Sequence, residues 1–210
     1  FYSPLEEVGG DWYNFRFEES GSISAQVADV SGHGLAAAFL GSMAKLGFSA
    51  VTEERPHELF ERINKLLTPQ MPAGRFVTMC GFLYNPENGH IDFARAGHQP
   101  ALILRNETRE IEELKGEGFA MGFFDTANYT HEESELGHGD SIAIFSDGLV
   151  EAQNRASETF DLKGVSASLA SASKDATAEE LTKKIIRDFE NFLDGRVLKD
   201  DVTLMLLKRK

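Results

Sequence analysis

The sequence predicts an α+β fold in which two packed, mainly antiparallel sheets are flanked by helices. Three observations lead there. The chain opens with a hairpin, its middle from Phe76 to Phe145 is a run of strand-like segments separated by polar turns, and helix-period segments fall in two blocks, the second followed by an apolar closing strand. With 210 residues, 41% of them hydrophobic, the chain can build one substantial domain, and no repeat, low-complexity tract or linker divides it.

The elements follow in order. Trp12 to Phe17 is an aromatic-rich strand, Glu18-Glu19-Ser20-Gly21 a turn, and Ser22 to Asp29 the return strand, with Ile23, Ala25 and Val27 alternating against polar neighbours. The pairing brings Asp11, before the first strand, close to Asp29, at the end of the second. Leu35 to Val51 and Pro56 to Leu67 read as helices. In the second, Leu59, Phe60, Ile63, Leu66 and Leu67 share one face, and Thr68-Pro69 ends it. Phe76 to Tyr84 and His90 to Ala96 form a second hairpin, and Gly97-His98 is a corner into Ala101 to Leu104. Glu110 to Leu114, Tyr129 to Leu136 and Ser141 to Phe145 are further strands. Thr177-Ala178-Glu179-Glu180 has the pattern of a capping box ahead of Leu181, Ile185, Phe189 and Phe192, and Gly195 closes that helix. Val202 to Leu207 is the last strand. Trp12, Phe15 and Phe17 are expected in the core, and His98 at a structural sheet corner.

The formal net charge of -13 argues against nucleic acid or an anionic membrane as the main partner, since both require a basic surface. The single cysteine, Cys80, excludes a disulfide framework and fits a reducing, cytoplasmic setting. The most apolar stretch, Leu35 to Val51, is broken by Ser42, Lys45 and Ser49 and is too short to span a bilayer. Phe1 stands where an initiator Met would, directly before strand-like sequence, so the chain reads as the C-terminal part of a longer regulatory protein.

The chemistry concentrates in four acidic corners, each at a strand end where a rigid sheet can aim a carboxylate. They are Asp11 after Gly9-Gly10, Asp29 before Ser31-Gly32-His33-Gly34, Asp147 before Gly148, and the pair Asp200-Asp201. One such residue alone is explained as a turn former or a helix cap. Four placed alike call for a cation, because clustered carboxylates repel. Oxygen donors without cysteine suit Mg²⁺ or Mn²⁺ rather than structural zinc. No Walker loop, nucleophile elbow or zinc cysteine cluster is present.

Five motifs in order resemble the metal-dependent PPM/PP2C-type serine/threonine phosphatases, in the bacterial branch of SpoIIE and the RsbU-like sigma-factor regulators. They are Val8-Gly9-Gly10-Asp11-Trp12-Tyr13, Asp29-Val30-Ser31-Gly32-His33-Gly34, Ala96-Gly97-His98-Gln99-Pro100, Ser146-Asp147-Gly148-Leu149-Val150-Glu151-Ala152, and Lys199-Asp200-Asp201-Val202-Thr203. The resemblance implies an α-β-β-α sandwich with two Mn²⁺ or Mg²⁺ ions at one edge. It implies that Asp29 bridges both ions, that the Val30 carbonyl holds one of them, that Asp147 and Asp200 hold the first and that Asp11 serves the second. Asp201 is an alternate to Asp200, and Asn14 stands where relatives often carry a further Asp. Asp29 and His33 are the catalytic candidates. For His33 two roles stay open, acting on the phosphate or its leaving oxygen, and holding the tight turn.

The implied substrate is phosphoserine or phosphothreonine on a regulatory protein such as an anti-sigma-factor antagonist. The implied context is an upstream sensor or receiver domain and a homodimer. One rival reading is a pseudophosphatase that holds a phosphoprotein without turning it over. Another is a diguanylate cyclase, whose signature shares Gly9-Gly10-Asp11 but continues Glu-Phe where this chain has Trp12-Tyr13.

Overall fold

Strand alternation sorts the buried side chains of the computed structural model into three layers. It describes residues 1–32, 34–51 and 55–210. The strands are β1 (Tyr2–Ser3), β2 (Trp12–Phe17), β3 (Ile23–Val30), β4 (Val77–Tyr84), β5 (His90–Ala96), β6 (Ala101–Leu104), β7 (Ile111–Leu114), β8 (His131–Glu135), β9 (Ser141–Phe145) and β10 (Val202–Lys208). The helices are α1 (Gly34–Ala50), α2 (Pro56–Leu67), α3 (Asp147–Val150), α4 (Asp161–Ala170) and α5 (Ala178–Leu193). The strands make two five-stranded sheets, ordered β1-β10-β9-β6-β7 and β2-β3-β4-β5-β8, and every ladder within them is antiparallel.

Along β3, Ala25 and Val27 enter the layer between the sheets with Cys80, Phe82, Phe93, Ile103, Ile142 and Ile144. Ala28 and Val30 point the other way, onto α1 and α2, where they meet Ala37, Ala44, Phe48, Phe60 and Ile63. The second sheet repeats the rule: Ala143 and Phe145 of β9 and Val202 and Leu204 of β10 pack under α4 and α5 with Val165, Leu169, Ile185 and Phe189. The result is four layers, helix-sheet-sheet-helix, as period-2 strands buried on both faces require. Asp29 has the parity of Ala25 and Val27, so it lies on the inter-sheet side at the strand's open end.

Two expectations need correction. Phe15 and Phe17 are not core: they are 51% and 70% exposed, while Trp12 is buried against Phe48 at a centroid separation of 5.1 Å. The reason is position in the sheet. β2 is an edge strand, so its two faces are covered unequally. Trp12 turns to the helix layer, while Phe15 and Phe17 point to the side on which the second sheet leaves them exposed. Helix α4 is not evident from the sequence pattern. Its apolar positions Leu162, Val165 and Leu169 are diluted by Gly164, Ser166, Ala167 and Ser168, all weaker signals of helical periodicity.

The capping box at α5 is present as expected. The Thr177 hydroxyl accepts from the Glu180 N–H, and the Glu180 carboxylate accepts from the Thr177 N–H at 2.8 Å. Thr177→Ala should therefore lower stability by about 1 kcal/mol, the usual worth of such a cap. A urea unfolding midpoint indistinguishable from wild type would contradict this.

Candidate metal-binding edge

The register of the first hairpin sets two of the acidic corners side by side. Trp12 pairs with Ala28, so the next positions outward are Asp11 and Asp29. Asp147 arrives from the other sheet, two residues beyond the end of β9, as the first residue of α3. Asp200 and Asp201 immediately precede β10, the neighbour of β9. Carboxylates from both sheets thus converge on one edge of the sandwich.

Hydrogen bonds sew the edge together. The Thr203 hydroxyl donates to Asp11 Oδ2 at 2.6 Å, and the Thr203 N–H donates to Ser146 Oγ at 2.9 Å. Asp201 is committed to the backbone: Oδ1 accepts from the Leu5 N–H at 2.7 Å and Oδ2 from the Asp11 N–H at 3.1 Å. Asp200 is exposed, and its Oδ1 accepts from the Asp201 N–H at 2.9 Å. The two neighbours, indistinguishable in sequence, therefore have different surroundings. Asp201 is a buried brace for the Gly9-Gly10-Asp11 turn, and Asp200 faces outward.

Two glycines permit this closeness. A Cβ on Gly10 would sit 2.9 Å from the Val30 carbonyl oxygen, and one on Gly148 would sit 1.9 Å from the carbonyl oxygen of Asp201. Only a residue without a side chain lets the Asp11 turn approach the end of β3 and lets α3 approach the segment carrying Asp200 and Asp201.

The electrostatics are strained in one direction. Burial is the largest cause of a raised pKa at Asp29, Asp11 and Asp147, which stand at about 8, about 7 and about 6. At Asp29 the charges of Asp147, Asp11, Asp200 and Asp201 follow. At Asp11 hydrogen bonds from Ser146 and Thr203 oppose the rise, and Asp201 and Asp147 add to it. At Asp147 Asp200 and Glu151 contribute. No Lys or Arg stands among these causes. Such a set of buried oxygen donors suits a hard divalent cation. Among the described residues, however, no group of three or more His, Cys, Asp or Glu side chains is already gathered as a ready metal site. The carboxylates surround the edge without closing on it.

Three other sequence candidates resolve differently. Asn14 donates through Nδ2 to Gln26 Oε1 at 3.0 Å, and it has the parity of Trp12, on the helix side of the sheet and turned away from Asp29. It is not part of the acidic edge. His33 lies outside the described residues. His98 is buried and held neutral, its pKa pushed down to about 4 chiefly by desolvation. Nothing in the sequence assigns a role to the hydroxyls of Thr203, Ser146 and Thr78: a threonine or serine in or beside a strand looks like any other, and only the sheet packing shows what its hydroxyl meets.

With this geometry in place, comparison with known proteins decides the family. The model of the family Stage II sporulation protein E (SpoIIE) matches residues 19–210. The chain belongs to the SpoIIE family. Phosphoserine phosphatase RsbU of Bacillus subtilis (strain 168) is 29% identical over 211 residues, which cover 99% of this chain and 61% of RsbU. The chain thus spans about three-fifths of that relative's length. The SiaA-PP2C domain of Pseudomonas aeruginosa superposes with a TM-score of 0.87 at 20% identity, covering 100% of this chain and 84% of that one. RsbX in complex with magnesium superposes at 0.74 with 16% identity, covering 98% and 91%. At these identities the structural likenesses establish the fold, the PP2C sandwich of two antiparallel sheets between helices.

Two outcomes follow for this SpoIIE-family edge. Gly148→Ala should unfold the α3 corner or displace it from Asp200 and Asp201, lowering the thermal midpoint; an unchanged midpoint would contradict the close approach. The second concerns pH in a chelating buffer. Folding raises three carboxyls above their ordinary 3.8, so each contributes stability that is full below that value and is lost as pH rises through about 6, 7 and 8 for Asp147, Asp11 and Asp29. The metal-free midpoint should therefore fall between pH 4 and 8, and a calorimetric series in EDTA that rises over this window would refute the assignment of burial and repulsion.

Proposed function

We propose that this domain is a divalent-metal-dependent phosphatase for phosphoserine or phosphothreonine on a regulatory protein, of which an anti-sigma-factor antagonist is the leading candidate. The observation that carries the reading is the convergence of buried, proton-hungry carboxylates from both sheets on one edge. RsbU, named a phosphoserine phosphatase, and RsbX, seen with magnesium, support it by kinship.

Of two Mg²⁺ or Mn²⁺ ions, Asp147 and Asp200 would hold the first, Asp11 would serve the second, Asp29 would serve both, and the Val30 carbonyl would hold one of them. Bound there, two such ions supply an acidified water and neutralise the charge that develops during displacement at phosphorus. The chain's own part is placement. Asp201 and Thr203 fix the Asp11 turn, the end of β3 presents Asp29, and the α3 corner presents Asp147. Burial at this edge limits water and strengthens every charge interaction. Asp200, rather than Asp201, is the ligand in this reading, because both Asp201 oxygens are engaged by backbone N–H groups. His33 remains the candidate proton donor or phosphate-positioning group.

The domain belongs in this reading to a longer cytoplasmic regulator, with a sensor or receiver segment upstream and a dimeric assembly. Among the described residues no helix is long and apolar enough to cross a membrane. A phosphoprotein-binding module without turnover is the second reading.

Turnover decides between them. Hydrolysis of p-nitrophenyl phosphate and of a phosphoserine protein should vanish in EDTA and return with Mn²⁺; full activity in metal-free buffer would reject the metal dependence, and no activity with metal would reject the enzyme reading. Asp147→Asn should lose roughly a hundredfold in turnover while circular dichroism stays native, as for removal of a charge that acts on the transition state. Asn serves a turn as well as Asp, so a purely structural Asp147 would leave turnover near wild type. Asp200→Asn should behave like Asp147→Asn, whereas Asp201→Asn should chiefly lower the thermal midpoint. The reverse pattern would exchange their roles.

A further inference from the structure

His98 is a buried imidazole that the chemistry above does not use, and both of its ring nitrogens are engaged. Nε2 lies 3.1 Å from the Phe145 carbonyl oxygen, and Nδ1 lies 2.7 Å from Thr78 Oγ1. A carbonyl only accepts, so Nε2 carries the proton. Nδ1 is then an acceptor and takes the Thr78 hydroxyl proton. The relay has one direction: Thr78 Oγ1–H to Nδ1, then Nε2–H to Phe145.

Its two ends lie in different sheets. Thr78 is on β4, directly opposite Asp29 in the β3–β4 register. Phe145 ends β9, two residues before Asp147. The imidazole thus spans the gap between the strand pair presenting Asp29 and the strand presenting Asp147, without offering a carboxylate of its own.

The ring is anchored from behind. Gly97 has a φ of +64° and donates its N–H to the Gly118 carbonyl at 2.8 Å, and a Cβ there would meet the Ala120 nitrogen at 2.8 Å. Arg95 Nη1 donates to the His98 carbonyl at 2.9 Å.

We infer that Thr78 and His98 form a positioning relay that fixes the separation of the Asp29 and Asp147 carboxylates, and thereby sets the affinity of this edge for a divalent cation. The inference rests on the reading of Asp29 and Asp147 as ligands of a shared ion. Outer hydrogen bonds of this kind govern affinity because repelling carboxylates drift apart unless their backbones are held.

The test uses the folded domain and Mn²⁺ alone, read by titration calorimetry rather than turnover. Thr78→Val keeps the shape and removes the proton that His98 Nδ1 accepts; it should weaken Mn²⁺ binding roughly tenfold or more, the usual cost of losing such support. Thr78→Ser restores the hydroxyl and should recover most of the affinity. Ile103→Val, a core change in the same inter-sheet layer, should lower the thermal midpoint without moving Mn²⁺ affinity. Wild-type affinity in Thr78→Val, failure of Thr78→Ser to rescue, or an equal loss in Ile103→Val would each overturn the relay.

A second readout needs no metal. Amide hydrogen exchange at Asp147 and Gly148 in EDTA should accelerate in Thr78→Val and not in Thr78→Ser. If the wild-type domain bound no Mn²⁺, the metal reading itself would fall, and the exchange result would decide whether Thr78 and His98 hold the two strands together.

Discussion

Like charge held out of water at one end of a sandwich is the constraint on which the rest of this structure turns. Asp29, Asp11 and Asp147 are each driven toward protonation, first by burial and then by one another. Left free, carboxylates in such a position would swing into solvent. They stay because the backbones beneath them belong to two stacked sheets held together by buried apolar side chains, from Ala25 and Val27 to Ile142 and Ile144. The favourable burial of the sandwich offsets the unfavourable edge.

The polar groups around that edge divide the labour. Asp201 and Thr203 act inward, on backbone and on Asp11, while Asp200 faces outward. Gly10 and Gly148 let chain segments approach to distances a methyl group would forbid. Thr78 and His98 cross between the sheets just behind the carboxylates. On the proposed reading, an edge built this way would store repulsion in the absence of a cation and release it on binding, so that occupancy and stability would be coupled.

Much of this was legible in the chain. The first hairpin, the Asp11–Asp29 juxtaposition, the α5 capping box and the closing strand follow from period-2 and period-3.6 patterns with local turn chemistry, which depend on neighbours in sequence. The failures share a cause. Phe15 and Phe17 look like core residues in any strand, and only the place of β2 at a sheet edge leaves them uncovered. Helix α4 is rich in small residues, so its one apolar stripe shows once it lies on β6 and α5. The place of Asn14 opposite Gln26, one pleat from Asp29, is likewise set by register rather than composition.

The amino-acid order by itself determined most of the elements, the acidic corners at their ends and the family motifs, because each is written in contiguous residues. Tertiary structure alone decided that Asp201 braces while Asp200 faces solvent, that Thr203 reaches Asp11, and that His98 joins Thr78 to Phe145. These pairs are separated in sequence by as many as 196 positions. Which side chains meet across such a separation depends on how two sheets stack, and stacking is settled by the whole buried interior at once.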